Sequence, residues 1–195
     1  MGLVLASASP RRRELLEMLG FSGFRVIPAA CEEEFYNLPP EAEVAETARA
    51  KAREVLLRCS EEDMILAADT LVFLDGQKLG KPTDERDAER MLTLLSGRGH
   101  TVCTGVSVIY RGREITKTES TNVFFREMNP DDILTYIKTG EPLDKAGAYG
   151  AQGRGSVFIK RIDGDFFNVM GLPLCLLSDI LGEFGVNILK GSLEK

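Results

Sequence analysis

Three groups of side chains in this chain could do chemistry. Ser7 and Ser9 lead into Pro10 and the triplet Arg11, Arg12 and Arg13; Asp69 stands inside an apolar run; and Tyr149 and Gln152 punctuate a stretch dense in glycine. The first group outlines an anion site. Residues 2–6 read as a short buried strand, Ser7, Ala8 and Ser9 as a turn, and Pro10 as the first residue of a helix, where its fixed φ and missing N–H are tolerated. Ser9 is the expected N-cap. Cations in a first helical turn are each disfavoured by roughly 0.3–1 kcal/mol. Backbone N–H groups, two hydroxyls and three guanidinium groups at that point would suit a phosphate. The alternative is a solvated basic face with Glu14 and Glu17 as partners.

Asp69 lies between Met64-Ile-Leu-Ala-Ala68 and Leu71-Val-Phe-Leu74. A desolvated carboxylate needs a lysine, an arginine or a divalent metal beside it. It could serve as a general base or simply cap a turn between two strands. Lys51 and Lys81 read as surface lysines when taken singly, and as clamps on a triphosphate when taken with the arginines. Glu32, Glu33 and Glu34 read first as a solvated acidic run. With a phosphate substrate, one of them could share Mg²⁺ with Asp69, since that ion takes only one or two protein carboxylates. In Asp144-Lys-Ala-Gly-Ala-Tyr-Gly-Ala-Gln-Gly153, glycine permits close backbone approach to a ligand. The Gln152 amide offers a donor and an acceptor side by side, which can match N3–H and a carbonyl of uracil or thymine. His100 shows no partner in the sequence and reads as structural.

The elements that must position these residues follow from periodicity. Residues 24–28 read as a second strand. Pro39-Pro40 opens a long helix with Val44, Ala45, Ala48, Ala52, Val55, Leu56 and Cys59 inward. Residues 64–68 form a central strand, interrupted at Asp69-Thr70 and resumed to the Asp75-Gly76 turn. Residues 77–82 read as a loop, Thr83 as the cap of a helix stopped by Gly97, and residues 101–110 and 114–125 as a hairpin about Arg111-Gly112. Asn129-Pro130 starts another helix, residues 157–162 and 166–170 suggest a further hairpin, and residues 173–184 a last helix. The fold class expected is α/β with a mixed sheet and flanking helices.

Whole-chain properties narrow the classes. A net charge of −6 speaks against a general nucleic-acid binder. Four scattered cysteines without a C-x-x-C pair, and a single histidine, argue against a zinc site or a disulfide framework. No run is long enough for a membrane span, and the N-terminal stretch is too short for a signal peptide. A cytoplasmic protein with no membrane partner is the expectation.

Ser7-x-Ser-Pro-Arg-Arg12, Ala68-Asp-Thr70, Gly80-Lys-Pro82, Leu95-Ser-Gly97 followed by His100, and the Asp144–Gly153 run together resemble the Maf nucleoside triphosphate pyrophosphatases, in family order and across nearly the whole chain. The resemblance implies one domain over residues 1–195 with a two-lobed fold and central cleft like that of the inosine triphosphate pyrophosphatases. It also implies a divalent metal, Mg²⁺ or Mn²⁺, and a homodimer. The implied reaction takes a nucleoside triphosphate to the monophosphate and pyrophosphate. Asp69 matches the proton acceptor, accompanied by Lys51 and Lys81. Glu33 and Asp69 match metal-handling positions, and Ser7 and Arg12 phosphate-handling ones. Arg11, Thr70 and Gln152 fall where members preferring dTTP and UTP set specificity. Arg13 matches no functional position, and Ala151 stands where isoleucine is usual. The family's association with septum inhibition supplies a second reading, a nucleotide sensor with incidental catalysis. A third is a house-cleaning enzyme for modified nucleotides.

Overall fold

Strand β1 (Gly2–Leu5) runs parallel to both β2 (Arg25–Val26) and β3 (Asp63–Leu74), with Leu5 opposite Val26 on one side and Leu66 on the other. The computed structural model describes residues 2–30 and 38–190. Among the described residues seven strands form one mixed sheet in the order β2-β1-β3-β5-β6-β7, with β4 (Gln77–Leu79) antiparallel to the end of β3. Strands β5 (Gly99–Tyr110) and β6 (Arg113–Phe125) are joined by the tight turn at Arg111-Gly112, both at positive φ. Strand β7 (Ile159–Asp163) pairs antiparallel with β6. Among the described residues no helix is long and apolar enough to cross a membrane.

The chain divides into two compact units. The first comprises Met1–Asp69, Thr104–Glu119 and Gly171–Lys195. It holds α1 (Pro10–Met18), α2 (Pro40–Leu56) and α6 (Leu174–Glu183). Val4 and Ala6, Ile65 and Ala67, and Ile109 form one face of the sheet and pack with Ala52 and Val55 of α2. The second unit comprises Thr70–Cys103 and Ser120–Met170. There α3 (Glu85–Leu95) contributes Ala88, Met91, Leu92 and Leu95, and α4 (Pro130–Ile137) contributes Ile133, Tyr136 and Ile137, to a core with Val102, Val123, Phe125 and Phe158. Strand β3 passes from one unit to the other between Asp69 and Thr70.

Several elements differ from the sequence expectation. β3 is continuous for 12 residues, so Asp69 does not interrupt it; a carboxylate with a lysine partner can be carried within a strand. The expected loop over residues 77–82 begins as β4, because Asp75 and Gly76 both take positive φ and fold the chain back along β3. Asp84, rather than Thr83, caps α3, its carboxylate accepting from the Asp87 amide. The expected second strand of the last hairpin is instead the helix α5 (Phe166–Met170). Gly164 turns the chain at φ 127°, Asp165 accepts from the Phe167 amide, and Asn168 donates to the Val102 carbonyl and the Thr121 hydroxyl. These polar anchors override the hairpin suggested by the Asp163-Gly164 turn. β2 is only two residues long, and β5 is buried on both faces over most of its length.

Helix α2 lies directly on the backbone of β5. A Cβ on Gly105 would sit 2.2 Å from the carbonyl oxygen of Val44 and 2.5 Å from its carbon. Neither atom belongs to a flexible side chain, so the helix or the strand would have to move. Gly105→Ala is therefore expected to lose about 3 kcal/mol or more of stability. Urea denaturation monitored by circular dichroism reads this, and a loss below about 1 kcal/mol would contradict the close approach.

Candidate functional site

Asp69 is placed by alternation. Ile65, Ala67 and Asp69 share one face of β3, and the first two pack against α2. Lys51 borders the buried stripe of that helix, next to Ala52 and one turn from Thr47, Ala48 and Val55, all buried. Its ammonium donates to Asp69 Oδ1 at 2.7 Å, with the lysine side chain 15% and the aspartate side chain 9% exposed. Desolvation of both charges is offset by their attraction at this distance. Asp69 and Lys51, the two residues of this unit expected from the resemblance to be catalytic, are thus one ion pair.

The β1–α1 turn brings together a second set. Ala6 N donates to the Leu66 carbonyl, extending the parallel β1–β3 ladder by one residue. Ser7 follows at the carboxyl end of β1, the end of parallel strands at which α/β folds bind ligands, alongside the middle of β3. Its hydroxyl, buried, accepts from the Ser9 amide at 3.2 Å and from Arg12 Nη1 at 3.1 Å. Arg12 Nε donates to the Gly171 carbonyl at 2.7 Å, so its guanidinium is held from two sides. Ser9 occupies the N-cap position, but its side chain makes no capping bond. Arg13 pairs with Glu17 one turn on, and Arg11 is half-buried.

The second unit carries the other assigned residues. Thr70 follows Asp69 on β3, and Lys81 is exposed just beyond β4. Gly147 N donates to the Gly80 carbonyl at 3.0 Å, which ties the segment before Lys81 to the glycine-dense stretch. That stretch forms three short 3₁₀ turns, Glu141–Asp144, Ala146–Ala148 and Arg154–Phe158, with Gln152 exposed between the second and third. Ala151 packs against the core. His100, partnerless in the sequence reading, has its Nε2 2.8 Å from the Tyr149 hydroxyl, and both rings contact Phe125 edge-on. Burial pushes the His100 imidazole down to about 4 and the Tyr149 phenol upward.

Sequence reasoning overlooked Glu141. Its carboxylate accepts from the Tyr136 hydroxyl, the Arg154 amide and the Gly155 amide at 2.9, 3.0 and 3.1 Å. Burial acts to raise this carboxyl, but the hydrogen bonds from Gly155, Arg154 and Tyr136 together hold it below its ordinary value. The signal in the sequence was the glycine density of the Asp144–Gly153 run, which read as room for a ligand.

Glu33 lies outside the described residues, as do Glu32 and Glu34. Among the described residues no three His, Cys, Asp or Glu side chains gather into a metal-binding group. Mg²⁺ does not require one, since it is bound through one or two carboxylates plus substrate phosphates and water. Asp69, a hard-oxygen donor, fits that pattern. Cys59, Cys103 and Cys175 are free thiols.

The family model described as Maf-like protein matches residues 2–184. A dTTP/UTP pyrophosphatase of Moorella thermoacetica is 52% identical over 189 residues, covering 95% of this chain and 96% of the relative. A dTTP/UTP pyrophosphatase of Thermococcus gammatolerans is 49% identical over 187 residues, covering 96% and 98%. Among solved structures, the Ham1 protein of Staphylococcus aureus is similar with a TM-score of 0.51 and 15% identity, over 94% of this chain and 100% of that one. That likeness is one of fold.

Two measurements check the geometry. Lys51→Met strands the Asp69 carboxylate, which should cost about 3–5 kcal/mol in urea denaturation at pH 7. Lys51→Met combined with Asp69→Asn removes both charges and should recover most of the loss. A single variant as stable as the parent would deny the buried pair. His100 gives a pH dependence: between pH 6.5 and about 4 the unfolded chain binds a proton that the folded one refuses. Its contribution is complete above pH 6.5 and is lost as pH falls toward 4, by on the order of 3 kcal/mol. His100→Asn should flatten the stability curve in that window; an unchanged slope would overturn this.

Proposed function

The chain belongs to the Maf family, and we propose that it hydrolyses dTTP and UTP to the nucleoside monophosphate and pyrophosphate. The observation that carries the reading is the buried Asp69–Lys51 pair, a carboxylate fixed in mid-strand at the position that matches the family's proton acceptor. Relatives named dTTP/UTP pyrophosphatase over nearly their whole length support the substrate class.

Water attacks the α-phosphorus, a new P–O bond forms, and the anhydride bond to the β-phosphate breaks with its electrons leaving on pyrophosphate. Asp69 accepts the proton of the attacking water. Lys51 fixes the carboxylate that does so, and with Lys81, Arg11 and Arg12 it neutralises the charge that builds on the phosphates. Such preorganised stabilisation is commonly the largest catalytic contribution. Ser7 holds Arg12 in place for this work. Thr70 and Gln152 contact the base, the glutamine amide pairing with N3–H and a carbonyl of a thymine or uracil ring. Asp69 and Glu33 would hold Mg²⁺ or Mn²⁺, which supplies Lewis-acid polarisation of phosphate oxygens when bound. The same proposal takes residues 1–195 as one catalytic domain, acting in the cytoplasm as a homodimer, as the resemblance implies.

Pyrophosphate release measured across dTTP, UTP, CTP, the purine triphosphates and 7-methyl-GTP, with Mg²⁺ and with Mn²⁺, tests the reading. Turnover is expected to be fastest with dTTP and UTP. Asp69→Asn should lower kcat by about 10²–10⁴ while the circular dichroism spectrum is retained. Tight nucleotide binding without release from any substrate would favour the sensing alternative and overturn the enzymatic one.

A further inference from the structure

We propose that Glu141 is a positioning residue that sets base selection by fixing the backbone on which Gln152 is presented, a role that rests on the base-contacting reading of Gln152. The glycine-dense stretch is closed around one carboxylate. Glu141 Oε1 accepts from the Tyr136 hydroxyl at 2.9 Å and the Gly155 amide at 3.1 Å, and Oε2 accepts from the Arg154 amide at 3.0 Å. The Gly150 amide donates to the Tyr136 hydroxyl at 3.1 Å, so that hydroxyl accepts from one side of the loop while donating to Glu141. Gln152 lies between Gly150 and Arg154, two backbone positions that this polar ring holds.

The glycines corroborate the closure. A Cβ on Gly150 would lie 3.0 Å from Glu141 Oε1, and one on Gly153 would lie 3.0 Å from both carboxylate oxygens. A Cβ on Gly155 would lie 2.6 Å from the Tyr136 hydroxyl. Gly153 also has φ 110°, strained for any residue with a side chain. Three glycines therefore answer to the same acid and phenol. Lys145 adds a clamp from the other side, its ammonium donating to the Glu141 carbonyl at 2.9 Å.

The chemistry demands a carboxylate. Three donors converge on it, and an ionised carboxylate accepts at both oxygens while offering no donor of its own. In Glu141→Gln one end becomes an NH₂ group facing either the Arg154 amide or the Gly155 amide and Tyr136 hydroxyl. At least one loop hydrogen bond is lost while the volume is unchanged. Gln152 then samples more orientations, and the discrimination that depends on its amide direction falls.

The experiment compares parent and Glu141→Gln by amide hydrogen exchange over residues 146–158 and by steady-state kinetics with dTTP and dCTP, whose bases differ in the donor and acceptor pattern that the glutamine reads. Exchange is expected to accelerate. KM for dTTP should rise about tenfold, the worth of one hydrogen bond, with a smaller change in kcat. The dTTP-over-dCTP ratio of kcat/KM should fall by a similar factor. In a Gln152→Ala background, Glu141→Gln should change that ratio no further, because one residue acts through the other. Faster exchange with an unchanged ratio overturns the proposal, as does an additive loss in the Gln152→Ala background. A parent protein that does not prefer dTTP over dCTP overturns the base reading itself, and shows this before any variant is compared. Should Glu141→Gln fail to fold, Tyr136→Phe, which removes the hydroxyl bridging Gly150 and Glu141, carries the same readouts.

Discussion

A carboxylate in the interior of a sheet strand must meet a counter-charge without admitting bulk water, and much of the first unit follows from that constraint. Asp69 needs an ammonium at hydrogen-bond distance. The lysine that supplies it stands on a helix lying across the same sheet face. For Lys51 to reach, α2 must lie close to the strands. Small residues at its contact surface, Ala48 and Ala52, and the absence of a side chain at Gly105 allow this. The ion pair and the tight helix–sheet packing are two aspects of one requirement.

The strand that carries Asp69 also separates neighbouring side chains by elementary geometry. Successive side chains of a strand point to opposite faces. Asp69 shares the α2 face with Ala67, and Thr70 belongs to the other. The carboxylate of Asp69 and the side chain of Thr70 are therefore neighbours in sequence without competing for the same space. The β1–α1 turn supplies its own order. Ser7 and the Gly171 carbonyl hold Arg12 against the electrostatic disfavour of a helix N-terminus, so that guanidinium has a set direction.

Much of this was legible in the sequence where local signals and burial agreed. Pro10 and Pro40 start their helices where expected, Gly97 and Gly140 follow helix ends with positive φ, and the Arg111-Gly112 turn joins the long hairpin. The pairing of Lys51 with Asp69 was one of several partners open to a desolvated carboxylate; only the packing of α2 on β3 selected it. Reading failed where tertiary contacts overrode local pattern. Phe166-Phe-Asn-Val-Met170 is a short apolar run after an Asp-Gly turn and so reads as a strand, yet the Asn168 amide must reach both Val102 and Thr121, and the chain coils to deliver it. His100 seemed partnerless because Tyr149, its partner, is 49 positions away in the chain.

Glycine shows how one sequence signal supports two physical meanings. A run of glycines permits the backbone to approach something closely, but composition does not say what is approached. In residues 150–155 the object is internal: the acid of Glu141 and the phenol of Tyr136 occupy the space that side chains would take. The stretch is thereby a specified conformation, with hydrogen bonds to Gly150, Arg154 and Gly155 on either side of Gln152. A flexible connector would pay an ordering cost each time it met a ligand. A loop already folded around a half-buried acid has its backbone ordered beforehand on either side of Gln152, which lowers that cost for the base contact we propose.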